Sequence, residues 1–270
     1  MCNYGCVFSL ETWMPGRRVP AVLGLLLLTA SPAAADGAGS APVEAVVEAV
    51  VEAVVETVVD ELTLRTEDGA VVRLAGLHVP GPFAAAARAA LEAALPPGAA
   101  VRLVPVGPGP DRYGRTTAVV SGSDGALQTL LVARGLALLR PSPGAPLRPP
   151  GLRDLEKRAA AARVGLWADR GLVLSDAHGA DRLLGRYALV EGRVLDVGGT
   201  DHHVYLNFGR DWRRDFTLRV RRPELEHVVG RLVSNVDQLA GRRVLARGFV
   251  IEAGGPLIEL SHPEQIEVLP

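Results

Sequence analysis

The 270-residue sequence predicts a mainly β protein with packed helices, an α+β fold. The clearest sign is a hairpin: apolar and polar residues alternate from Leu62 to Thr66, Asp68-Gly69 provides a tight turn, and Val71 to Leu77 returns as a second strand. Short strand patterns of the same kind recur in both halves of the chain. Between them lie amphipathic, helix-forming stretches that end at Gly or Pro.

The formal net charge of the protein is only −1. This excludes a nucleic-acid-binding protein that relies on a large positive net charge. The charge is uneven, with 14 Lys+Arg against 10 Asp+Glu in residues 60–170 and 12 against 12 in residues 185–270. Nearly every base is Arg, which together with abundant Ala, Gly and Pro is typical of a GC-rich genome. Arginine abundance alone therefore does not indicate phosphate binding.

The amino terminus has the order of a secretory signal peptide. Arg17-Arg18 precedes an apolar run, Val19 to Leu28, and small residues then lead to Ala33-Ala34-Ala35. The apolar run is too short to span a bilayer comfortably. We expect residues 1–35 to be a signal peptide and the mature chain, without a transmembrane helix, to be periplasmic or extracellular. An uncleaved membrane anchor is the alternative, and Met14 is an alternative start to Met1.

A low-complexity Val/Glu/Ala repeat occupies residues 36–54 and is followed by the first predicted strand. Its glutamates recur every four residues, a spacing at which like charges repel one another on a helix. Valine also favours strands over helices. We expect a loose helix that becomes a strand near Val55, and a partner-binding helix remains the alternative.

Four motifs then occur in order, beginning at residues 71, 111, 131 and 152. They read V-V-R-L-A-G-L-H-V-P, D-R-Y-G-R, L-V-A-R-G-L-A and L-R-D-L-E-K-R-A-A-A-A-R-V-G-L-W. Together they resemble a staphylococcal-nuclease-like (thermonuclease) domain over residues 55–170. The resemblance implies a five-stranded OB-type barrel packed on helices. Members of this family hydrolyse phosphodiesters with calcium, two arginines and a glutamate.

The resemblance carries over only part of that catalytic site. Arg73 and Arg115 stand at the positions of the two family arginines. Leu62 and His78 stand where the family has its two metal-binding aspartates, and Gly81 stands where it has its base glutamate. Because calcium prefers carboxylate oxygens, we expect the calcium site to be lost. We therefore expect neither a cofactor nor calcium-dependent nuclease activity. A single imidazole such as His78 is more often structural than a transition-metal ligand.

The retained positive charges still predict binding of a phosphate. Arg73 is the only charge among the apolar residues of its strand, and a buried guanidinium needs an anion. The predicted phosphate or nucleic-acid ligands here are Arg73, Arg112 and Arg115, with Tyr113 as a stacking ring. The alternative is that Arg73 forms a structural ion pair with an acid elsewhere in the barrel.

The carboxy-terminal half predicts a second, smaller OB-like barrel over residues 185–270, joined by a linker at residues 171–184. Three strands, a helix and two strands follow one another, which is the order of an OB-fold. This half resembles the small OB-like module appended to some bacterial nuclease-like proteins. Its aromatic residues lie among arginines, as a single-strand binding surface requires. The candidate ligands are Arg210, Trp212, Arg213 and Arg214; the alternative is that aromatics such as Phe208 and Phe216 fill the core.

Three functions remain open from the sequence. The first is an exported binding protein with a degenerate nuclease site, whose partner is single-stranded nucleic acid, another phosphate-bearing ligand or an envelope protein. The second is an active phosphodiesterase that uses His78 and other acids with a different metal. The third is a structural module of the cell envelope. The oligomeric state is not predicted.

Overall fold

The computed structural model describes residues 50–107, 109–141, 143, 147–211 and 213–270. The predicted signal peptide, most of the low-complexity repeat and Trp212 therefore lie outside the described residues. Over the described ranges, none of the helices combines the length and the apolar character that crossing a membrane requires.

The first part of the fold is a closed five-stranded barrel, which we call the N-terminal barrel. Its strands pair in the order β3-β2-β1-β5-β6, and parallel pairing of β3 with β6 closes it. The strands of this barrel are β1 (Val51–Val58), β2 (Thr63–Thr66), β3 (Val71–Leu74), β5 (Ala100–Pro105) and β6 (Arg115–Gly122). The short strand β7 (Gly125–Ala126) extends this sheet by pairing with β6, and β4 (Leu77–His78) pairs with β8 (Leu138–Leu139) in a separate two-stranded sheet. The OB-type barrel predicted from the resemblance is confirmed.

Three helices pack on the N-terminal barrel: α1 (Ala84–Ala94), α2 (Leu127–Ala133) and α3 (Leu152–Ala161). The strand β1 differs from the prediction, because it begins at Val51 rather than near Val55 and so includes the last part of the repeat. Antiparallel pairing with β5 explains the difference, since Val51 lies opposite Leu103 and Val54 opposite Ala100.

The second part, which we call the C-terminal β domain, consists of two sheets. One sheet has the order β17-β14-β10-β9 and the other β11-β12-β13-β16-β15. The strands of this domain are β9 (Leu174–Asp176), β10 (Tyr187–Arg193), β11 (Asp196–Gly199), β12 (His203–Asn207), β13 (Thr217–Arg221), β14 (Arg243–Phe249), β15 (Ile251–Glu252), β16 (Pro256–Leu260) and β17 (Ile266–Val268). The helix α4 (Leu225–Val229) follows β13, with one 3-10 turn before it (Arg222–Glu224) and another after it (Val236–Leu239).

Several details of this domain differ from the sequence expectation. Gly198 and Gly199 end β11 and pair with Tyr205 and Val204 of β12. The segment 171–184, expected as a linker, contains strand β9, which pairs with β10, and a 3-10 helix at Ala177–Leu183.

Two aromatics of the predicted binding surface instead lie in the core of the C-terminal β domain. Phe208 and Phe216 are buried, and their ring centroids are 5.1 Å apart. For these two residues the core-filling alternative is right. Phe208 directly follows the last residue of β12 and Phe216 directly precedes the first residue of β13, and both positions face inward.

A buried polar network joins the two parts of the fold. Arg247 of β14 donates to Glu156 of α3 at 2.8 Å, and both side chains are almost completely buried. The backbone of Leu139 completes the network: its N–H donates to Glu156 at 2.9 Å, and its carbonyl accepts from the hydroxyl of Tyr187 at 2.9 Å. The interior therefore continues from one part to the other.

Candidate anion-binding site

Arg73 and Arg115 lie on the same outer face of the N-terminal barrel. In the parallel register of β3 and β6, Val71 pairs with Arg115 and Arg73 pairs with Thr117. Side chains two residues apart on a strand share a face, so the two arginines are diagonal neighbours. The residues that alternate with Arg73 are buried, whereas Arg73 itself is half-buried at the surface. The register therefore brings these two predicted phosphate ligands close together.

Arg73 lies among charges of both signs, with Arg115 and Arg140 on one side of the balance and Asp60 and Glu61 on the other. Burial lowers the pKa of Arg73, and the neighbouring charges of Arg115 and Arg140 lower it further, whereas Asp60 and Glu61 act to raise it. Within the described ranges, no carboxylate is hydrogen-bonded to this guanidinium or lies within ion-pair distance of it. Its donors therefore remain available to an anion from outside the chain.

Arg115, by contrast, already has an acidic partner. Its Nη2 and Nε atoms lie 2.8 Å and 2.9 Å from Oδ2 of Asp111. This hydrogen bond, with backbone N–H donors of Arg115 and Tyr113, lowers the pKa of Asp111 to about 2. A guanidinium has five donors, so Arg115 keeps some for a further acceptor, but part of its charge is neutralised within the chain.

Tyr113 lies at the edge of this face and is 64% exposed. The guanidinium carbons of Arg112 and Arg115 lie 4.7 Å and 5.0 Å from its ring centroid, and Arg112 donates to its hydroxyl at 2.6 Å. Arginine contacts of this kind hold the ring in place. The structure thus brings together all four ligands predicted in this half of the chain.

His78 is packed against aromatic rings of the C-terminal β domain. Its ring centroid lies 4.9 Å from that of Tyr187 and 5.7 Å from that of Phe249. Burial, followed by the positive charges of Arg140 and Arg73, lowers the pKa of His78 to about 4. The imidazole is therefore neutral near pH 7.

The residues at the family's metal positions do not fit calcium. Leu62 belongs to the barrel core and is only 1% exposed. His78 has imidazole nitrogens rather than oxygen ligands. Gly81, the first residue of a 3-10 turn, has no side chain and therefore cannot act as a base. In the part of the chain that the structure describes, no three His, Cys, Asp or Glu side chains are placed to hold a metal ion. Calcium requires several hard oxygen ligands, which these positions do not provide.

A cavity of about 460 Å³ lies beside His78, and sequence reasoning did not foresee it. Its walls come from both parts of the fold, with Pro80, Phe83 and Leu172 opposite Tyr187 and Phe249. Arg140 lies 5.1 Å from the ring centroid of Phe249, which links the cavity to the arginine cluster. Arg140 could have been suspected from the motif G-L-A-L-L-R, but no local signal connects Tyr187 or Phe249 with His78.

The other predicted ligands lie in the loop between β12 and β13 of the C-terminal β domain. Arg210, Arg213 and Arg214 are exposed there, while Trp212 lies outside the described residues. Asp211 and Asp215 share this loop, and the backbone of Arg213 donates to Asp211. These arginines therefore belong to a different surface from Arg73, in a loop that also carries negative charge.

The comparisons with known proteins concern the N-terminal barrel and its helices. Residues 72–169 match the family model described as "Staphylococcal nuclease homologue". This part of the chain is a staphylococcal nuclease-like domain. In the comparison with curated proteins nothing matches the chain. The nuclease-like domain indicates a function related to nucleic acid in general.

Proposed function

We propose that this protein binds nucleic acid through the anion site around Arg73 and does not cleave it with calcium. The observation that carries the proposal is the half-buried Arg73, which has no hydrogen-bonded carboxylate among the described residues and lies beside Arg115 and Arg140. A phosphate group could accept two parallel hydrogen bonds from this guanidinium.

The lack of calcium-dependent cleavage follows from the side chains present. In the nuclease family that this domain resembles, phosphodiester hydrolysis needs carboxylates to bind the metal and a base to activate the attacking water. Leu62, His78 and Gly81 supply neither, and the low pKa of His78 makes it a weak base at neutral pH. The arginines alone can bind and orient a phosphate, but they cannot remove a proton from water.

Single-stranded nucleic acid suits the site better than a duplex. Tyr113 is exposed and held by two arginines, so one face of its ring is positioned next to phosphate-binding groups. An unpaired base can stack on such a ring while its phosphate contacts the guanidinium groups.

The test is binding of a fluorescent oligothymidine of about 20 nucleotides to the purified protein at several salt concentrations. We expect Arg73→Met to weaken binding by about tenfold and to reduce the salt slope by about one. Arg88→Met is the matched control, because Arg88 is an exposed helix residue paired only with Glu92. It should change the affinity by less than about twofold.

Three results would refute the proposal. Equal affinities of Arg73→Met and the wild type would mean that Arg73 is not a ligand. Cleavage of the oligonucleotide in calcium, manganese or zinc, lost in Arg73→Met, would favour an active phosphodiesterase. Absence of binding at low salt would favour a structural module.

The proposed function includes export, which rests on the sequence of residues 1–35. Deletion of these residues should leave the protein in the cytoplasm, while the intact chain should be recovered outside it after cell fractionation. Equal distribution of the two forms would refute export.

A further inference from the structure

A second groove lies on the outer face of the C-terminal β domain, away from the residues of the anion-binding site. Its volume is about 380 Å³. Outward-facing side chains of β12 and β13 form its floor, and two glycine-containing segments form its rims. The floor residues are Tyr205, Asn207, Thr217 and Arg219, and the rims are residues 198–200 and 253–255.

The strand register places the floor residues in a compact square. Tyr205 pairs with Arg219 and Asn207 with Thr217 across β12 and β13. Gly198 pairs with Tyr205 on the other side. The hydroxyl of Thr217 lies 3.5 Å from the side-chain oxygen of Asn207, which leaves the amide nitrogen of Asn207 as a donor facing the groove.

The arginine on the floor of this groove has a carboxylate partner, in contrast to Arg73. Arg219 donates to Glu259 at 2.9 Å, so its charge is paired within the chain. Arg222, next to the rim, donates to the carbonyl oxygen of Thr200. A polyanion would gain little here, because its phosphates would have to compete with Glu259 for the guanidinium.

Neutral polar groups around an aromatic ring suit a sugar. No described residue hydrogen-bonds the hydroxyl of Tyr205, and its ring lies beside rim glycines that carry no side chains. A flat pyranose ring can therefore lie on Tyr205 through its C–H face. Its hydroxyls can meet the amide of Asn207 and the Arg219–Glu259 pair, which together offer both donors and acceptors.

We propose that this groove binds a neutral oligosaccharide, with Tyr205 as the stacking platform and Asn207, Arg219 and Glu259 as hydroxyl partners. The volume accommodates one or two sugar rings, so binding of a longer chain would continue across the open ends of the groove. This site is independent of the proposed nucleic-acid function, since it uses none of the same residues.

The experiment is calorimetric titration of the intact protein with three probes: cellohexaose, maltohexaose and the hexamer of N-acetylglucosamine. We expect at least one probe to bind and Tyr205→Ala to weaken that binding by about tenfold or more. Tyr113→Ala is the matched control, because it removes an exposed tyrosine from the other part of the fold, and it should leave sugar binding unchanged.

A second variant blocks the groove without removing any of its ligands. A Cβ atom added at Gly198 would lie 3.8 Å from the amide nitrogen of Asn207, which is ordinary contact, and the backbone there does not require glycine. Gly198→Phe should therefore fold, place its ring in the groove and abolish sugar binding. Arg73→Met should leave sugar binding unchanged, which separates this test from that of the proposed function.

Three outcomes would overturn the inference. One is that none of the three probes binds at millimolar concentration. Another is that a probe binds equally to Gly198→Phe and to the wild type. The third is that Gly198→Phe and Tyr205→Ala instead weaken oligothymidine binding, which would make the groove a nucleic-acid surface.

Discussion

The two β parts of this molecule present strand surfaces of similar construction, but the arginine on each surface has a different acidic environment. On the N-terminal barrel, Arg73 lies near Arg115 and Arg140 without a hydrogen-bonded carboxylate from the described residues. On the C-terminal β domain, Arg219 occupies a comparable outward position but is paired with Glu259 at 2.9 Å. The strand geometry places an arginine on each face, and the acids nearby determine whether that arginine can attract an anion. Fold alone therefore does not define the ligand.

The largest expected effect concerns the interior that the two parts share. Arg247→Ala should lower the free energy of unfolding by about 3–5 kcal/mol, because it leaves the carboxylate of Glu156 buried without its cation. Chemical denaturation measures the change. If the two parts were independent, the variant would instead keep most of the wild type's free energy of unfolding.

Two controls make that prediction specific. Arg88→Ala breaks an exposed ion pair with Glu92 and should cost less than about 1 kcal/mol. The double variant Glu156→Leu with Arg247→Met removes both charges and should recover much of the loss. A single Arg247→Ala variant as stable as the wild type would show that the buried pair does not join the two parts.

A smaller effect concerns His78, which faces the C-terminal β domain from beside Arg73 and Arg140. The unfolded chain takes up a proton on this imidazole below about pH 6.5, whereas the folded protein does so only near pH 4. Stability from His78 is therefore fully present above pH 6.5 and is lost as the pH falls towards 4. Because His78 is partly solvated, we expect a loss on the order of 1–3 kcal/mol.

The measurement compares the free energy of unfolding of the wild type and His78→Gln between pH 4 and 7. The wild-type curve should be the steeper one in this window. His262 also has a lowered pKa from burial, but it is present in both proteins and so cancels in the difference. Parallel curves would mean that His78 is not desolvated by Tyr187 and Phe249.

The sequence predicted the local parts of this structure better than the contacts between them. The hairpin of β2 and β3 follows from alternation and from Asp68-Gly69, and the choice of Arg73 and Arg115 as site residues follows from a family resemblance. The packing of His78 against Tyr187 and Phe249 depends on residues more than a hundred positions apart, for which no periodicity gives a signal. The pairing of Arg115 with Asp111 is local, four residues apart, and could have been anticipated from D-R-Y-G-R.

The sequence also could not decide which aromatics face the core. In β12 the buried positions are Val204 and Leu206, so Tyr205 faces outward. Phe208 and Phe216 follow and precede their strands by one residue, and there the alternation turns both rings inward. A shift of one residue along a strand moves a side chain to the other face of the sheet. Approximate strand bounds therefore do not determine which aromatic side chains face the core.

The smallest effect we predict comes from neutralising one carboxylate on the N-terminal barrel and, separately, one on the C-terminal β domain. Asp111→Asn keeps Oδ1 as an acceptor for the backbone N–H groups of Tyr113 and Arg115, but it frees the guanidinium of Arg115 beside Arg73. Affinity for the oligothymidine should rise about threefold to tenfold, with a steeper salt dependence. Glu259→Gln frees Arg219 in the same way, but Arg221, two residues away on the same strand, stays paired with Glu224, so the gain should stay below about twofold. Equal gains in the two variants would show that any freed arginine suffices and that the cluster around Arg73 has no special role.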